Sequence, residues 1–233
     1  MIIQKLEPSQ HKAGRWLVWF EDGSLIRVGE GDVVALSLYA GKELSEGEAE
    51  ALTDAAQHRR LSERAVDLLS ARPMSRRDLI DKLSTPTRRR PKPGQEVTPP
   101  DPDLLEGQRQ RLRAAAEGVA DRMEELGLLD DGEYARTVAR HYGAKGYGER
   151  KVRDELYRRG VPREYWEEAL TQLPREDGEE GPIDALVRRR LRGAEPTREN
   201  LKRTSDWLAR RGFGWDEISS ALERYREMVF DDE

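Results

Sequence analysis

The chain has 233 residues, of which 37% are charged and only 6% are aromatic, and its mean hydropathy is −0.87. This composition argues against one wide apolar core and favours small helical units that each bury a narrow apolar stripe. The sequence contains no cysteine, which excludes a disulfide framework and thiolate metal sites. No apolar run approaches the roughly 20 residues of a membrane helix. The first residues lack the basic start and apolar core of a signal peptide, so we expect a cytosolic protein. The net charge of −5 argues mildly against a dedicated duplex DNA binder.

The N-terminal region predicts short strands. Three candidate strands span residues 2–6, 15–20 and 24–28. The Asp22-Gly23 pair before the third segment suits a hairpin turn, because Asp-Gly tolerates positive φ. We therefore predict a small antiparallel sheet, and we interpret Trp16 and Trp19 as core residues rather than as a ligand site.

Helical periodicity replaces the strand pattern after this sheet. Ser45 is a candidate N-cap for a helix over residues 45–58, and apolar spacing predicts a separate helix over residues 61–71. Ser75 opens the next helix, whose buried face carries two leucines, Leu79 and Leu83.

A segment rich in proline and charge interrupts the helices at residues 85–103. This segment, TPTRRRPKPGQEVTPPDPD, has no apolar periodicity, and we predict a disordered excursion. Helix resumes beyond it and stops near Gly127.

Capping and turn residues delimit the helices in the rest of the chain. These residues are Asp130 or Asp131, the Gly146-Tyr147-Gly148 turn, Gly160, Pro162, Thr197 and Gly212. An acidic linker over residues 174–182 separates two groups of three predicted helices.

The sequence is internally repeated. LYRRGVPREYWEEAL at residues 156–170 and LARRGFGWDEISSAL at residues 208–222 align at a constant offset, because Gly212 minus Gly160 is 52. An earlier copy aligns at another offset, because Arg150 minus Arg77 is 73. A three-helix unit buries its apolar face poorly alone, so copies should stack.

The predicted fold class is all-α, with tandem three-helix repeats in an elongated curved array and a small N-terminal β-hairpin or sheet. The predicted parts are a β-rich extension over 1–40, a connecting helix over 41–59, a first repeat over 60–129 with its insertion at 85–103, a second over 130–173 and a third over 182–230.

Four motifs in this order resemble the RecX family of bacterial regulators of the RecA recombinase. They are LLSARPMSRRDLIDKL at 68–83, GLLDDGEYA at 127–135, GYGERKVRDEL at 146–156 and RRGV at 158–161. The N-terminal hairpin resembles an extension carried by some members. The resemblance covers residues 60–84 and 104–228. The chain departs from the family pattern at residues 85–103, where a few connecting residues are usual; an insertion there costs little closure entropy.

The resemblance implies a cytoplasmic protein that binds RecA–DNA filaments and occupies their helical groove. It implies restraint of filament growth, strand exchange, ATP hydrolysis and co-protease activity in DNA repair and the SOS response. The expected partners are the RecA filament and, weakly, single- or double-stranded DNA. No membrane partner is expected, and the chain is expected to be a monomer.

Residues suited to catalysis are sparse. The three histidines are isolated along the sequence, at His11, His58 and His141, which argues against a metal site. The acidic group Asp130, Asp131 and Glu133 precedes a helix and is interpreted as capping rather than as a Mg²⁺ site. We expect no enzyme activity, no metal and no cofactor.

The basic residues are the candidate partner interface. The predicted interface residues are Arg150, Lys151, Arg153, Arg158, Arg159, Arg188, Arg189, Arg190, Lys202, Arg203, Arg210 and Arg211. Two interpretations stay open: the arginines complement helix dipoles or cover solvated faces, or they meet acidic protein or phosphate inside a nucleoprotein filament. For Arg188–Arg190 the second is favoured, because three adjacent arginines point around a helix.

The leading hypothesis is a non-enzymatic modulator that docks along a RecA filament through several modest contacts. The alternatives are a stand-alone helix-turn-helix-like DNA-binding regulator and a scaffold without a nucleic-acid role.

Overall fold

The computed structural model describes residues 1–85, 102–174, 181–192 and 194–231. It divides into two compact units, which we call the N-terminal unit (Met1–Arg72 and Leu79–Leu128) and the C-terminal unit (Pro73–Asp78 and Leu129–Glu233). The described part is mostly helical with one small sheet, which confirms the predicted fold class of a helical protein with an N-terminal β extension. The predicted disordered excursion over 85–103 lies outside the described residues at 86–101, and the structure places Pro102 and Asp103 in a helix. The predicted acidic linker over 174–182 lies outside them at 175–180.

The sheet of the N-terminal unit has three antiparallel strands in the order β1-β2-β3. They are β1 (Ile3–Pro8), β2 (Arg15–Phe20) and β3 (Leu25–Gly29). Gly23 has φ +78° in the turn between β2 and β3, as the Asp-Gly pair predicted. Val18, Phe20 and Val28 are fully buried on one face of the sheet, with Trp16 packed against their cluster, so the core interpretation of that tryptophan is confirmed.

A short helix that the sequence did not predict follows the sheet. Helix α1 (Glu30–Ala35) lies in the stretch assigned to a β-rich extension. Its first turn is held by Asp32, whose carboxylate accepts a hydrogen bond from the Gly29 amide at 2.8 Å. Six residues that include Gly31 are too few to show an apolar period, so periodicity could not have predicted this helix.

Helix α2 (Glu46–Ala71) is one continuous helix of 26 residues. The prediction of two separate helices is wrong, because no glycine or proline interrupts residues 58–61. Ser45 is the N-cap, as predicted: its hydroxyl accepts from the Glu48 amide at 3.3 Å, and the Glu48 carboxylate accepts from the Ser45 amide at 2.9 Å. Hydrogen bonds from Lys42 and Ser45 lower the pKa of Glu48 to about 2.

Two further helices complete the first copy of the repeat. They are α3 (Arg76–Ser84) and α4 (Pro102–Glu125). Leu79 and Leu83 of α3 are fully buried, as predicted. Helix α4 contacts α2 and buries Val119 and Met123, and Gly127 after its last turn has φ +67°.

The C-terminal unit holds two helical groups, each with its own apolar core. The first group is α5 (Asp131–Ala144), α6 (Glu149–Arg158), a 3₁₀ turn (Arg163–Tyr165) and α7 (Trp166–Leu170). The second is α8 (Pro182–Leu191), α9 (Arg198–Arg210) and α10 (Trp215–Asp231). The equivalent residues Leu156 and Leu208 are both fully buried at the centres of these cores. The predicted third helix of the second copy is reduced to the 3₁₀ turn and five residues of α7, whereas its counterpart α10 has 17 residues.

The predicted caps and stops of this unit are confirmed. Asp130 accepts a hydrogen bond from the Glu133 amide at 2.8 Å, and Thr197 accepts one from the Asn200 amide at 3.3 Å. Gly160 and Gly212 end α6 and α9 at φ +71° and +88°.

Candidate partner-binding surface

The end of α9 is bonded directly to the beginning of α6. The Gly148 amide donates to the Arg211 carbonyl at 2.9 Å, and the Arg150 amide donates to the Gly212 carbonyl at 3.1 Å. First-turn amides and last-turn carbonyls have no hydrogen-bond partner within their own helix. The contact therefore supplies partners to backbone groups at both helix ends. The contact also places the negative end of one helix dipole against the positive end of another.

The end of α6 meets the beginning of α3 in the same way. The Ser75 hydroxyl donates to the Arg159 carbonyl at 2.5 Å, and the Asp131 carboxylate accepts from the Arg76 amide at 2.8 Å. Ser75 and Gly148 are equivalent positions, since their numbers differ by 73, and Arg159 and Arg211 differ by 52. In both contacts, which we call the α9–α6 and α6–α3 junctions, one hydrogen bond therefore joins the same two positions of the repeat. The second bond of the α6–α3 junction is accepted by Asp131 of α5 instead.

Three glycines at these junctions have no room for a Cβ, although Ser75 stands at the position equivalent to Gly148. A Cβ added to Gly212 would lie 2.3 Å from the Lys151 nitrogen, and one added to Gly148 would lie 2.6 Å from the Gly212 oxygen. A Cβ on Gly160 would lie 2.4 Å from Cδ of Arg77. The repeated Arg-Arg-Gly motif thus ends each helix and lets the next backbone approach.

The second arginine of each Arg-Arg pair is turned into the protein. Arg159 donates to the Tyr134 hydroxyl at 2.8 Å; burial opposes its charge, but hydrogen bonds with Tyr134 and Tyr142 raise its pKa above the usual value. Arg211 donates to the carbonyls of Lys145 and Gly146, the latter at 2.8 Å. The side chains of these two predicted interface residues are therefore engaged in contacts within the protein.

Arg211 also belongs to a stacked column of rings and guanidinium groups. Its Cζ lies 4.6 Å from the ring centroid of Tyr147 and 4.7 Å from that of Trp207, while Arg190 lies 5.5 Å from the Trp207 centroid. Cation–π contacts of this kind contribute about 0.5–2 kcal/mol each. The sequence predicted the arginines but not the aromatic residues that hold them, although Trp207 and Arg211 stand at the i, i+4 spacing of helix neighbours.

A buried carboxylate contacts three of the predicted residues. Glu155 is 6% exposed, and Arg158 contacts it at 2.6 Å, Arg159 at 3.4 Å and Lys151 at 3.5 Å. Burial would raise the pKa of Glu155, but hydrogen bonds from Arg158 and Tyr142 and the charge of Arg158 lower it. The positive charge of this group is thus partly neutralised inside the molecule.

Two more predicted residues are paired on the surface. Arg153 contacts Glu149 at 2.7 Å and Glu167 at 3.0 Å, and Arg203 contacts Glu199 at 2.6 Å. Exposed pairs of this kind add little stability, but they reduce the charge available to a partner.

The three arginines at the end of α8 do not share one environment. Arg188 is half-buried and interacts within the chain, whereas Arg189 is exposed and Arg190 is exposed but stacked on Trp207. The hypothesis that all three face a partner therefore applies best to Arg189 and Arg190.

Four predicted residues remain exposed and have no side-chain hydrogen bond or ion pair within the described part of the chain: Arg150, Arg189, Lys202 and Arg210. The α9–α6 junction brings the backbones near two of them together, because the Arg150 amide donates a hydrogen bond to the carbonyl of Gly212, two residues after Arg210. These side chains are the best candidates for a partner contact.

Within the residues that the structure describes, there is no cluster of three or more His, Cys, Asp or Glu side chains able to hold a metal ion. Among the same residues, every helix is too short or too polar to cross a membrane.

The chain is similar in sequence to several known proteins. A family model described as the second three-helix domain of RecX matches residues 130–170. Regulatory protein RecX of Thermus thermophilus is 38% identical over 113 residues, covering 48% of this chain and 70% of the relative. Regulatory protein RecX of Xanthomonas oryzae is 33% identical over 119 residues, covering 46% and 66%. That of Streptomyces coelicolor is 38% identical over 103 residues, covering 42% and 54%. The chain thus spans less than two thirds of the Xanthomonas and Streptomyces relatives.

Two solved structures share the fold. A crystal structure of regulatory protein RecX has a TM-score of 0.65 at 22% identity, covering 96% of this chain and 98% of that one. A crystal structure of RecX from Lactobacillus salivarius has a TM-score of 0.53 at 15% identity, covering 73% and 97%.

The fold and the surface therefore define a class: a mostly helical protein of three-helix groups preceded by a small antiparallel sheet. Within that class, similarity of sequence to known relatives identifies the family. The chain belongs to the RecX family of regulatory proteins.

Proposed function

We propose that this protein binds an assembled RecA filament on DNA and restrains its ATP hydrolysis, strand exchange and co-protease activity, acting in the cytoplasm in DNA repair and the SOS response. Family membership supports the regulatory role. The observation that carries the proposal is the repeated placement of exposed, unpaired basic residues at equivalent positions: Arg150 on α6 and Lys202 on α9 differ by 52.

A partner with repeating subunits suits such a surface. Each copy contributes a modest contact, and several contacts made together give an affinity that no single one provides. A protein that bridges neighbouring recombinase subunits would hinder the motions that accompany ATP turnover, or would block the groove that a second DNA or a repressor must enter.

The proposal is tested by titrating the protein against RecA-coated single strands while DNA-dependent ATP hydrolysis is followed. We expect inhibition at substoichiometric amounts. The triple variant Arg150→Ala/Lys202→Ala/Arg210→Ala should lose most of this inhibition at unchanged helical content, because charge complementarity governs encounter and register.

A matched control removes three exposed basic residues elsewhere, in Arg109→Ala/Arg111→Ala/Arg226→Ala, and should inhibit like the wild type. Full inhibition by the first triple variant would place the contact on another surface. Failure of the wild-type protein to bind RecA-coated strands, together with sequence-selective binding to free duplex, would favour the DNA-binding regulator instead.

A further inference from the structure

Helices α6 and α9 carry the same alternating pattern of exposed charge. The pattern is a cation, a carboxylate four residues later and a cation four residues after that. Its members are Arg150, Asp154 and Arg158 on α6, and Lys202, Asp206 and Arg210 on α9. Each pair of equivalents differs by 52 residues, and all six are exposed. Residues at i, i+4 and i+8 follow one side of a helix, with about 6 Å of rise between successive members. We call this set the alternating stripe.

Most members of the stripe have no partner inside the protein. In the part of the chain that the structure describes, the side chains of Asp154 and Asp206 form no ion pair or hydrogen bond, and the same holds for Arg150, Lys202 and Arg210. The exception is Arg158, which contacts Glu155 at 2.6 Å.

Neighbouring charges on the same helices are paired. Arg153 reaches Glu149 at 2.7 Å, and Arg203 reaches Glu199 at 2.6 Å. Arg150 stands in the first turn of α6, where a cation opposes the helix dipole. Arg150 therefore gives little to the stability of its own helix.

The α9–α6 junction connects the two halves of the stripe. The Arg150 amide donates to the Gly212 carbonyl at 3.1 Å, so the start of the α6 pattern lies beside the end of the α9 pattern. The first copy does not extend it: Asp81, equivalent to Asp154, contacts Arg113 at 3.4 Å, and Arg77 interacts within the chain.

The carboxylates decide what kind of surface this stripe fits. DNA phosphates would be attracted by the cations but repelled by Asp154 and Asp206. A protein surface can present both signs of charge in the complementary order, and partner surfaces are usually arranged in this way. We infer that the alternating stripe docks on protein, namely on the oppositely alternating charges of adjacent subunits of the filament, and that it does not contact the DNA. This inference rests on the proposed function.

The test is to neutralise the two carboxylates in the full chain, in Asp154→Asn/Asp206→Asn, and to measure binding separately to RecA-coated and to bare single strands. Docking on protein predicts that affinity for RecA-coated strands falls about tenfold, while affinity for bare strands is unchanged or increased. The charge-preserving variant Asp154→Glu/Asp206→Glu should retain most of the filament affinity. Because neither aspartate is bonded in the folded protein, thermal unfolding should be unchanged.

A control with the same change in net charge is Glu223→Gln/Glu227→Gln, on the exposed side of α10, which should bind RecA-coated strands like the wild type. Equal or tighter binding of Asp154→Asn/Asp206→Asn to RecA-coated strands would overturn the inference, and tighter binding would indicate a phosphate contact. Failure of the wild-type protein to bind RecA-coated strands would instead defeat the proposed function and, with it, this inference.

Discussion

Replacing Gly148 by alanine should open the α9–α6 junction. Gly148 has φ −82° and ψ 174°, which alanine adopts without strain, so the backbone conformation itself is not the obstacle. The new Cβ would lie 2.6 Å from the Gly212 oxygen and 2.8 Å from the Phe213 nitrogen. The two helix ends must therefore separate.

The expected cost can be worked from the contacts that are lost. Separation breaks two backbone hydrogen bonds, at about 1 kcal/mol each, and misfit in a packed site adds about 1–3 kcal/mol. Alanine returns about 0.4–1 kcal/mol by restricting the unfolded chain. The local free energy of opening should therefore fall by about 2–4.6 kcal/mol, which speeds amide exchange about 30-fold or more.

Native-state hydrogen exchange of the α6 amides measures this directly. The control is Gly118→Ala, inside α4, where a Cβ meets no atom within 4 Å; it should leave α6 exchange unchanged. Exchange in α6 within twofold of the wild type for Gly148→Ala would refute the view that the junction holds the helix ends together.

Three other predictions concern the C-terminal unit. Asp184→Asn should lower its stability by about 1.5–3 kcal/mol in urea unfolding, because Asp184 is 7% exposed and accepts from Arg224 at 2.8 and 3.0 Å; an unchanged midpoint would contradict this. Arg211→Lys should loosen the stack on Trp207 and shift its fluorescence, because an ammonium cannot reproduce the planar contact; an identical spectrum would argue against the stack. The pKa of Glu155 is lowered on folding, so its contribution is complete above the unfolded pKa and is lost as pH falls through the folded one. Unfolding measured between pH 6 and pH 3 should show Glu155→Gln losing less stability than the wild type, and parallel curves would show that Glu155 is not linked to folding.

Local chemistry was enough to predict much of this fold. Ser45, Asp130 and Thr197 cap helices because their side chains reach an amide three residues on, and Gly160 and Gly212 end helices because they adopt positive φ. Each of these caps and stops depends on residues a few positions apart, so it can be predicted from the sequence.

Features that depend on tertiary contacts were not predicted. The continuity of α2 past residues 58–61 and the end of α7 at Leu170 were not predicted, although Ser45 marks where α2 begins. In the candidate surface, the sequence identified the basic residues but could not separate the inward Arg159 and Arg211 from the exposed Arg210. The predicted interface contained only cations and so omitted Asp154 and Asp206, although their numbers differ by the repeat offset of 52.

The junctions also restrict where residues can be inserted into or deleted from the chain. An insertion within α6 or α9 would rotate one junction away from its partner, since about 100° separates successive residues around a helix. Insertions in connections that contain no junction residue do not disturb a junction. The long proline-rich stretch of this chain begins after α3 and precedes α4, at such a connection. Growth in length is therefore compatible with this architecture after α3, the second helix of the first copy, while α6 and α9 keep a fixed size.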